Sequence, residues 1–197
     1  MPNQNPDLHG NVPDQCTVAV LIIDMISDFA FEGGDTLLEA ALPVAERLAE
    51  LKRRARAAGV PVVYVNDNYG KWRSDFKQQV DHVLDGTPGK AIAERLHPHA
   101  DDYFVLKPKH SGFYATPLGL LLEYLGAKTL VLTGVRTESC VLFTANDAYM
   151  REYGLVVPPD GVATFNADHE TALRVMERDM GARLTPCAQL DFDSLQR

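Results

Sequence analysis

Cysteine is scarce in this chain. Cys16, Cys140 and Cys187 are its three cysteines, an odd number at wide, irregular spacing that fits neither a disulfide framework nor a CxxC metal site. A reducing, cytoplasmic setting is therefore predicted. Long apolar runs are lacking too, since none approaches the roughly 18 residues that a membrane-spanning helix needs. The opening MPNQNPDLHGNVPDQ has neither the basic segment nor the apolar core of a secretory signal. Positive charge is in deficit: 19 Lys and Arg against 27 Asp and Glu give a formal net charge of -8. That balance argues against charge-driven binding to nucleic acid or anionic membrane and favours a small-molecule partner. No internal repeat or low-complexity tract is present. Of the histidines, His97, His99 and His110 stand in no ligand cluster and read as surface or supporting residues.

What is present is an ordinary globular composition, 46% hydrophobic and 23% charged over 197 residues, which suits one domain with a substantial core. The polar, proline-rich residues 1–15 predict a flexible arm. Residues 16–186 form the domain, and residues 187–197 read as a polar tail.

Within the domain, buried strands alternate with helices. Thr17 to Ile23 is an unbroken β-branched and aliphatic run that ends at Asp24, as expected of a strand covered on both faces. From Asp35, apolar residues recur at steps of three and four, with Lys52, Arg53 and Arg54 on the opposite side, until Gly59 stops the helix. Pro61 to Val65 is a second strand. Residues 66–100 are long for a connection and hold the single tryptophan, Trp72; helices are predicted at 76–84 and 90–96, and the whole has the character of a lid. Strand three, 102–106, ends at Lys107. A helix at 116–125 capped by Gly126, a strand from Leu130, a helix from Thr137 to about Tyr153, a strand at 155–157, a helix at 167–180 and a short strand at 182–184 complete the chain. This is the pattern of an open six-stranded parallel sheet with helices on both faces, an α/β fold.

Ligands of such folds bind at the carboxyl ends of the strands, where strand order reverses. Three reactive groups arrive there: Asp24, Lys107 and Cys140. Cys140 sits in the first turn of a helix for which Thr137 is the expected N-cap, so the turn's N–H groups predict a thiol pKa below the free value of about 8.5. Each residue also has a structural reading. Asp24 can cap a loop, Lys107 can be an exposed cation, and Cys140 can pack as a small apolar group. Phe29, Phe31, Tyr69, Trp72 and Phe113 either line an aromatic substrate pocket or belong to the core. Arg73, beside Trp72, either meets a carboxylate or faces water.

These residues resemble the isochorismatase-like cysteine hydrolases, the superfamily that includes nicotinamidases and N-carbamoylsarcosine amidase. The resemblance rests on VLIIDM with Asp24, on VLKPKHSGFYATPL with Lys107, and on LTGVRTESCV followed by TANDA with Cys140. It implies a Cys-Asp-Lys triad of Cys140, Asp24 and Lys107, a cis peptide at Val135-Arg136, and an oxyanion hole made by the backbone N–H groups of Arg136 and Cys140. It also implies a homodimer or homotetramer. The activity it implies is hydrolysis of a C–N bond in a small amide, ureido or imide-derived compound through a thioester. The alternatives are an isochorismatase-type enol ether hydrolase and a non-catalytic binding or redox-sensing protein. Nicotinamidases of this superfamily carry an Asp and histidines after the second strand to hold a metal. Here that position reads Asn66-Asp67-Asn68-Tyr69, which predicts no metal and no cofactor.

Overall fold

The computed structural model, which describes residues 14–73 and 75–197, is built on a sheet of six parallel strands in the order β3-β2-β1-β4-β5, with β6 also paired to β4. The strands are β1 (Val18–Ile23), β2 (Val62–Asp67), β3 (Tyr103–Lys107), β4 (Thr129–Val135), β5 (Gly154–Val156) and β6 (Val162–Ala163). Most of the arm expected at residues 1–15 lies outside the described residues.

β1 sits centrally because its side chains are apolar on both faces. Val18, Val20 and Ile22 pack into one core cluster with Leu37, Ala41, Val44, Ala45, Leu48 and Leu51 of α1 (Gly34–Ala57). Ala19, Leu21 and Ile23 point the other way, into a second cluster. That cluster is closed by α4 (Leu118–Leu125), α5 (Leu142–Tyr149) and α6 (His169–Met180). The two-residue period of a strand thus builds a three-layer molecule directly. Between β2 and β3 the chain forms α2 (Phe76–Leu84) and α3 (Lys90–Arg95).

Five expectations are corrected here. The sixth strand is Val162–Ala163, whereas residues 182–184 contribute only a parallel bridge from Arg183 to Val156; a two-residue strand is too short to show a period. The helix after β4 opens as a π turn, Thr137–Val141, before α5. Thr137 does not cap it, because its hydroxyl meets His169 Nδ1 at 3.0 Å. Lys52 is buried rather than exposed, its ammonium 2.6 Å from Asp102 and 2.7 Å from the Tyr64 hydroxyl. The segment after Pro186 is no free polar tail: Cys187, Leu190 and Phe192 are buried in the α1 core cluster, and α7 (Phe192–Leu195) follows.

The switch point of the sheet lies between β1 and β4, the neighbours from which the chain proceeds in opposite directions. Their register pairs Ile23 with Gly134. Gly134 has φ +109°, and a Cβ there would lie 2.0 Å from the Ile23 carbonyl oxygen. Only glycine allows β4 to end this close to the residue before Asp24.

Candidate active site

Asp24, Lys107 and Cys140 converge at the carboxyl edge of the sheet. β1 ends at Ile23 and delivers Asp24, which has φ +53°. Its backbone N–H is held by the Val65 carbonyl, and its Oδ1 accepts from the Asp67 N–H at 2.6 Å. Lys107 is the last residue of β3 and is fully buried. Its ammonium lies 2.8 Å from Asp24 Oδ2, 3.4 Å from Asp67 Oδ2 and 3.5 Å from Cys140 Sγ. Asp67 comes from the last position of β2, directly in register with Lys107. One cation therefore stands among two carboxylates and a thiol.

Cys140 lies in the π turn that follows β4, half-buried, with the N–H groups of Ser139 and Val141 both donating to the Arg136 carbonyl. The Val135-Arg136 peptide is cis. Two further polar atoms approach the sulfur: His110 Nδ1 at 3.9 Å and Ser139 Oγ at 4.0 Å. The His110 ring is set by Phe143, with centroids 5.5 Å apart.

The electrostatics of the group are collective. Burial pushes the Asp24 carboxyl up, and Lys107 only partly opposes it. Burial pulls Lys107 down, but Asp24, Cys140 and Asp67 outweigh it and hold the ammonium firmly protonated. Burial and the Asp24 carboxylate push the Cys140 thiol up to about 12. The low thiol pKa expected from a helix start is thus reversed, because desolvation and a neighbouring anion exceed the favourable effect of Lys107. At rest the thiol keeps its proton beside an acceptor whose own affinity for protons is raised.

Asp24 and Cys140 line a cavity of about 240 Å³, together with Ser27, Phe29, Phe31, Leu37, Asp67, Tyr69, His110, Val135, Arg136 and Ser139, while Lys107 is buried behind them. Phe29, Phe31 and Tyr69 are among the lining residues, with Phe29 and Phe31 stacked at 6.4 Å. Trp72 and Phe113 are not. Trp72 is 79% exposed in a shallow surface hollow with Lys71, Arg73, Gln78 and His82, away from the cavity. Phe113 is buried against Tyr153, with the Arg151 guanidinium 4.8 Å above its ring, on the α4–α5 side of the sheet. Arg73 shares the hollow of Trp72 and does not reach the cavity. Ser27, Leu37 and Ser139 are cavity residues that sequence reasoning passed over, and His110, read as a surface or supporting residue, lines the cavity as well. For Asp67 a signal existed: it ends a strand next to the one that ends in Lys107.

The loop that carries Ser27 and Phe29 is packed tightly from behind. Gly89, just before α3, lies so close that a Cβ there would stand 1.8 Å from the Ser27 carbonyl oxygen. The segment between β2 and β3 thus supports the cavity wall.

The position after β2 does not suit a metal. Asp67 Oδ1 accepts from the Tyr69 N–H at 2.7 Å, Asp67 Oδ2 faces the Lys107 ammonium, and Asn68 Oδ1 accepts from the Gly70 N–H at 2.9 Å. Asn66 Oδ1 is the one buried atom of this set without a partner, and a single neutral oxygen does not hold a cation beside an ammonium. Among the described residues no group of three or more His, Cys, Asp or Glu is placed to hold a metal ion.

Known proteins share this arrangement of sequence and fold. The family model for the isochorismatase domain matches residues 18–189. The chain is 40% identical over 173 residues to YaaI, an isochorismatase family protein of Bacillus subtilis, across 87% of this chain and 95% of that one. It is 33% identical over 200 residues to the ureidoacrylate amidohydrolase RutB of Methylorubrum extorquens, across 85% of this chain and 79% of that one. Among solved structures, N-carbamoylsarcosine amidase from Thermoplasma acidophilum matches with a TM-score of 0.68 at 26% identity, covering 89% of this chain and 99% of that one.

Proposed function

The chain belongs to the isochorismatase family, and we propose that it is a cysteine amidohydrolase, cleaving a C–N bond of a small amide, ureido or imide-derived substrate. The observation that carries this reading is the buried Lys107 ammonium, 2.8 Å from Asp24 and 3.5 Å from Cys140 Sγ, the latter two residues lining a cavity. An amidohydrolase and an amidase among the similar proteins support the same chemistry.

Asp24 takes the thiol proton as Cys140 attacks the substrate carbonyl. A resting carboxyl would be a poor base for a thiol, and burial that raises Asp24 narrows the gap. The thiolate charge that develops on sulfur meets the Lys107 ammonium, which needs no proton transfer to stabilise it. The backbone N–H groups of Arg136 and Cys140 receive the tetrahedral oxyanion. The C–N bond then breaks, the leaving nitrogen takes the proton from Asp24, and a thioester to Cys140 remains. Water adds to the thioester with its proton passing to Asp24, and the acid leaves as the thiol is regenerated. The sum is amide plus water giving acid plus amine. Asp67 does not touch the reacting atoms; it holds Lys107 from the other side.

Intact-protein mass spectrometry during turnover of an amide library tests the reading. A covalent adduct with the mass of the acyl group, lost in Cys140→Ala, is expected. Hydrolysis that persists in Cys140→Ala sinks the thioester and points instead to ether-type chemistry without a covalent thiol.

A further inference from the structure

Arg136 is one of the residues lining the cavity, and its side chain is held from several directions. Its Nε and Nη2 both donate to one oxygen of Glu138, Oε1, at 2.8 Å and 2.7 Å. Asn166 Nδ2 donates to the same oxygen at 3.1 Å. The guanidinium lies over the Phe165 ring, 4.7 Å from its centroid, and that ring packs against Gly33 at the start of α1. Although burial works against it, the Arg136 guanidinium beside it favours the ionised Glu138 carboxylate.

This clamp uses only the side edge of the guanidinium and one of its faces. The end edge, formed by Nη1 and the second Nη2 hydrogen, is left over; Nη1 has no acceptor among the described residues, and the side chain is 37% exposed. A planar, fixed fork of two donors matches a carboxylate bidentately. An arginine needed only to neutralise Glu138 would not have to stand on a cavity wall with that fork open. The charges of the cavity are also sorted. Asp24 and Asp67 end β1 and β2 and share Lys107, whereas Arg136 follows β4 on the far side of β1.

We propose that Arg136 is the specificity residue of this site and selects amides that carry a carboxylate, the carboxylate resting on its open fork while the amide carbonyl lies at Cys140. The proposal rests on the amidohydrolase reading and names its substrate class. The cavity of about 240 Å³ limits such a substrate to a small acid.

The test needs no turnover. Malonamate, succinamate and glutaramate, each paired with its neutral diamide, are compared as protectants of Cys140 against iodoacetamide. Within each pair the only change is carboxylate to carboxamide, and the three lengths sample the spacing between Cys140 and Arg136. At the best-fitting length, the acid is expected to protect at about tenfold to a hundredfold lower concentration than the diamide, as for a charge-assisted hydrogen-bonded pair. Arg136→Gln is expected to erase that ratio, and Arg136→Lys to keep part of it. Equal protection at every length, no protection by any of the six compounds, or a preference that survives in Arg136→Gln overturns the proposal. The wild-type comparison alone can overturn it, whether or not the variants fold. A preference for the acid without any acyl-enzyme from an amide library would instead sink the amidohydrolase reading and leave the carboxylate site standing.

Discussion

Replacing Asp24 with asparagine is expected to make Cys140 more reactive toward an alkylating agent while abolishing turnover. The two effects oppose each other because Asp24 has two roles. As a fixed anion it raises the thiol, which burial has already pushed up, to about 12. As the acceptor of the thiol proton it makes attack on an amide possible. Asparagine removes the charge, keeps nearly the same shape and retains an oxygen for the Asp67 N–H, so the turn that holds it is preserved. Lys107 keeps Asp67 as a counter-ion.

A unit charge about 4 Å away in a medium of effective dielectric about 20 is worth about 4 kcal/mol. At 1.36 kcal/mol per factor of ten, its removal raises the thiolate fraction at neutral pH about a thousandfold. A less basic thiolate is a weaker nucleophile, with a Brønsted coefficient of about 0.4–0.5, so the net gain in alkylation rate is about 30- to 60-fold. The assay is the pseudo-first-order rate of Cys140 modification by iodoacetamide at pH 7, resolved by peptide mass spectrometry from the buried Cys16 and Cys187. Amide hydrolysis by the same variant is expected to fall by about 10²–10⁴, the usual worth of a positioned acid–base group. In the wild type, the alkylation rate is expected to climb with pH and show no plateau below pH 9. A slower or unchanged rate in Asp24→Asn, or a wild-type plateau near neutral pH, would refute the claim that Asp24 holds the thiol protonated.

Lys107→Met leaves two carboxylates without their ammonium and is expected to cost about 3–5 kcal/mol in urea unfolding at pH 8. Asp24 has a folded pKa above its unfolded value, so its contribution is present below the unfolded pKa near 4 and is lost as pH rises through the folded one. Lys107 is what holds that folded pKa down, so the deficit should widen from pH 4 to pH 8, and adding Asp24→Asn should recover part of it; a deficit independent of pH would contradict this. Gly134→Ala forces a Cβ to 2.0 Å from the Ile23 carbonyl oxygen and is expected to yield no folded protein by circular dichroism; a variant within about 1 kcal/mol of wild type would refute the β1–β4 register. Phe113→Ala is expected to cost about 3–5 kcal/mol through a core cavity, whereas Trp72→Ala should change stability by under about 0.5 kcal/mol, and neither should alter the KM of an amide substrate.

What could be read from the sequence and what could not divide along a physical line. Asp24 and Lys107 were legible because each is the first charge after an apolar β run, and a parallel sheet puts all such ends on one edge. Neighbouring ends follow from the same logic, and Asp67 could have been found by asking which residue ends the strand beside Lys107. Phe113 and Trp72 mark where that reasoning stops. Nearness to a strand end says that a side chain is close to the edge, not which layer it enters, and Phe113 turns into the α4–α5 core while Trp72 turns outward. The thiol is the sharper case. A helix start is a local feature, and judged alone it lowers the pKa of Cys140. What reverses the direction is burial beneath the pocket wall together with an anion from a strand more than a hundred residues earlier, and neither exists until the chain has folded. The reactivity of Cys140 therefore belongs to the meeting of β1, β3 and β4 and not to its own turn, so Asp24→Asn, which leaves that turn's sequence untouched, is the substitution expected to change it most.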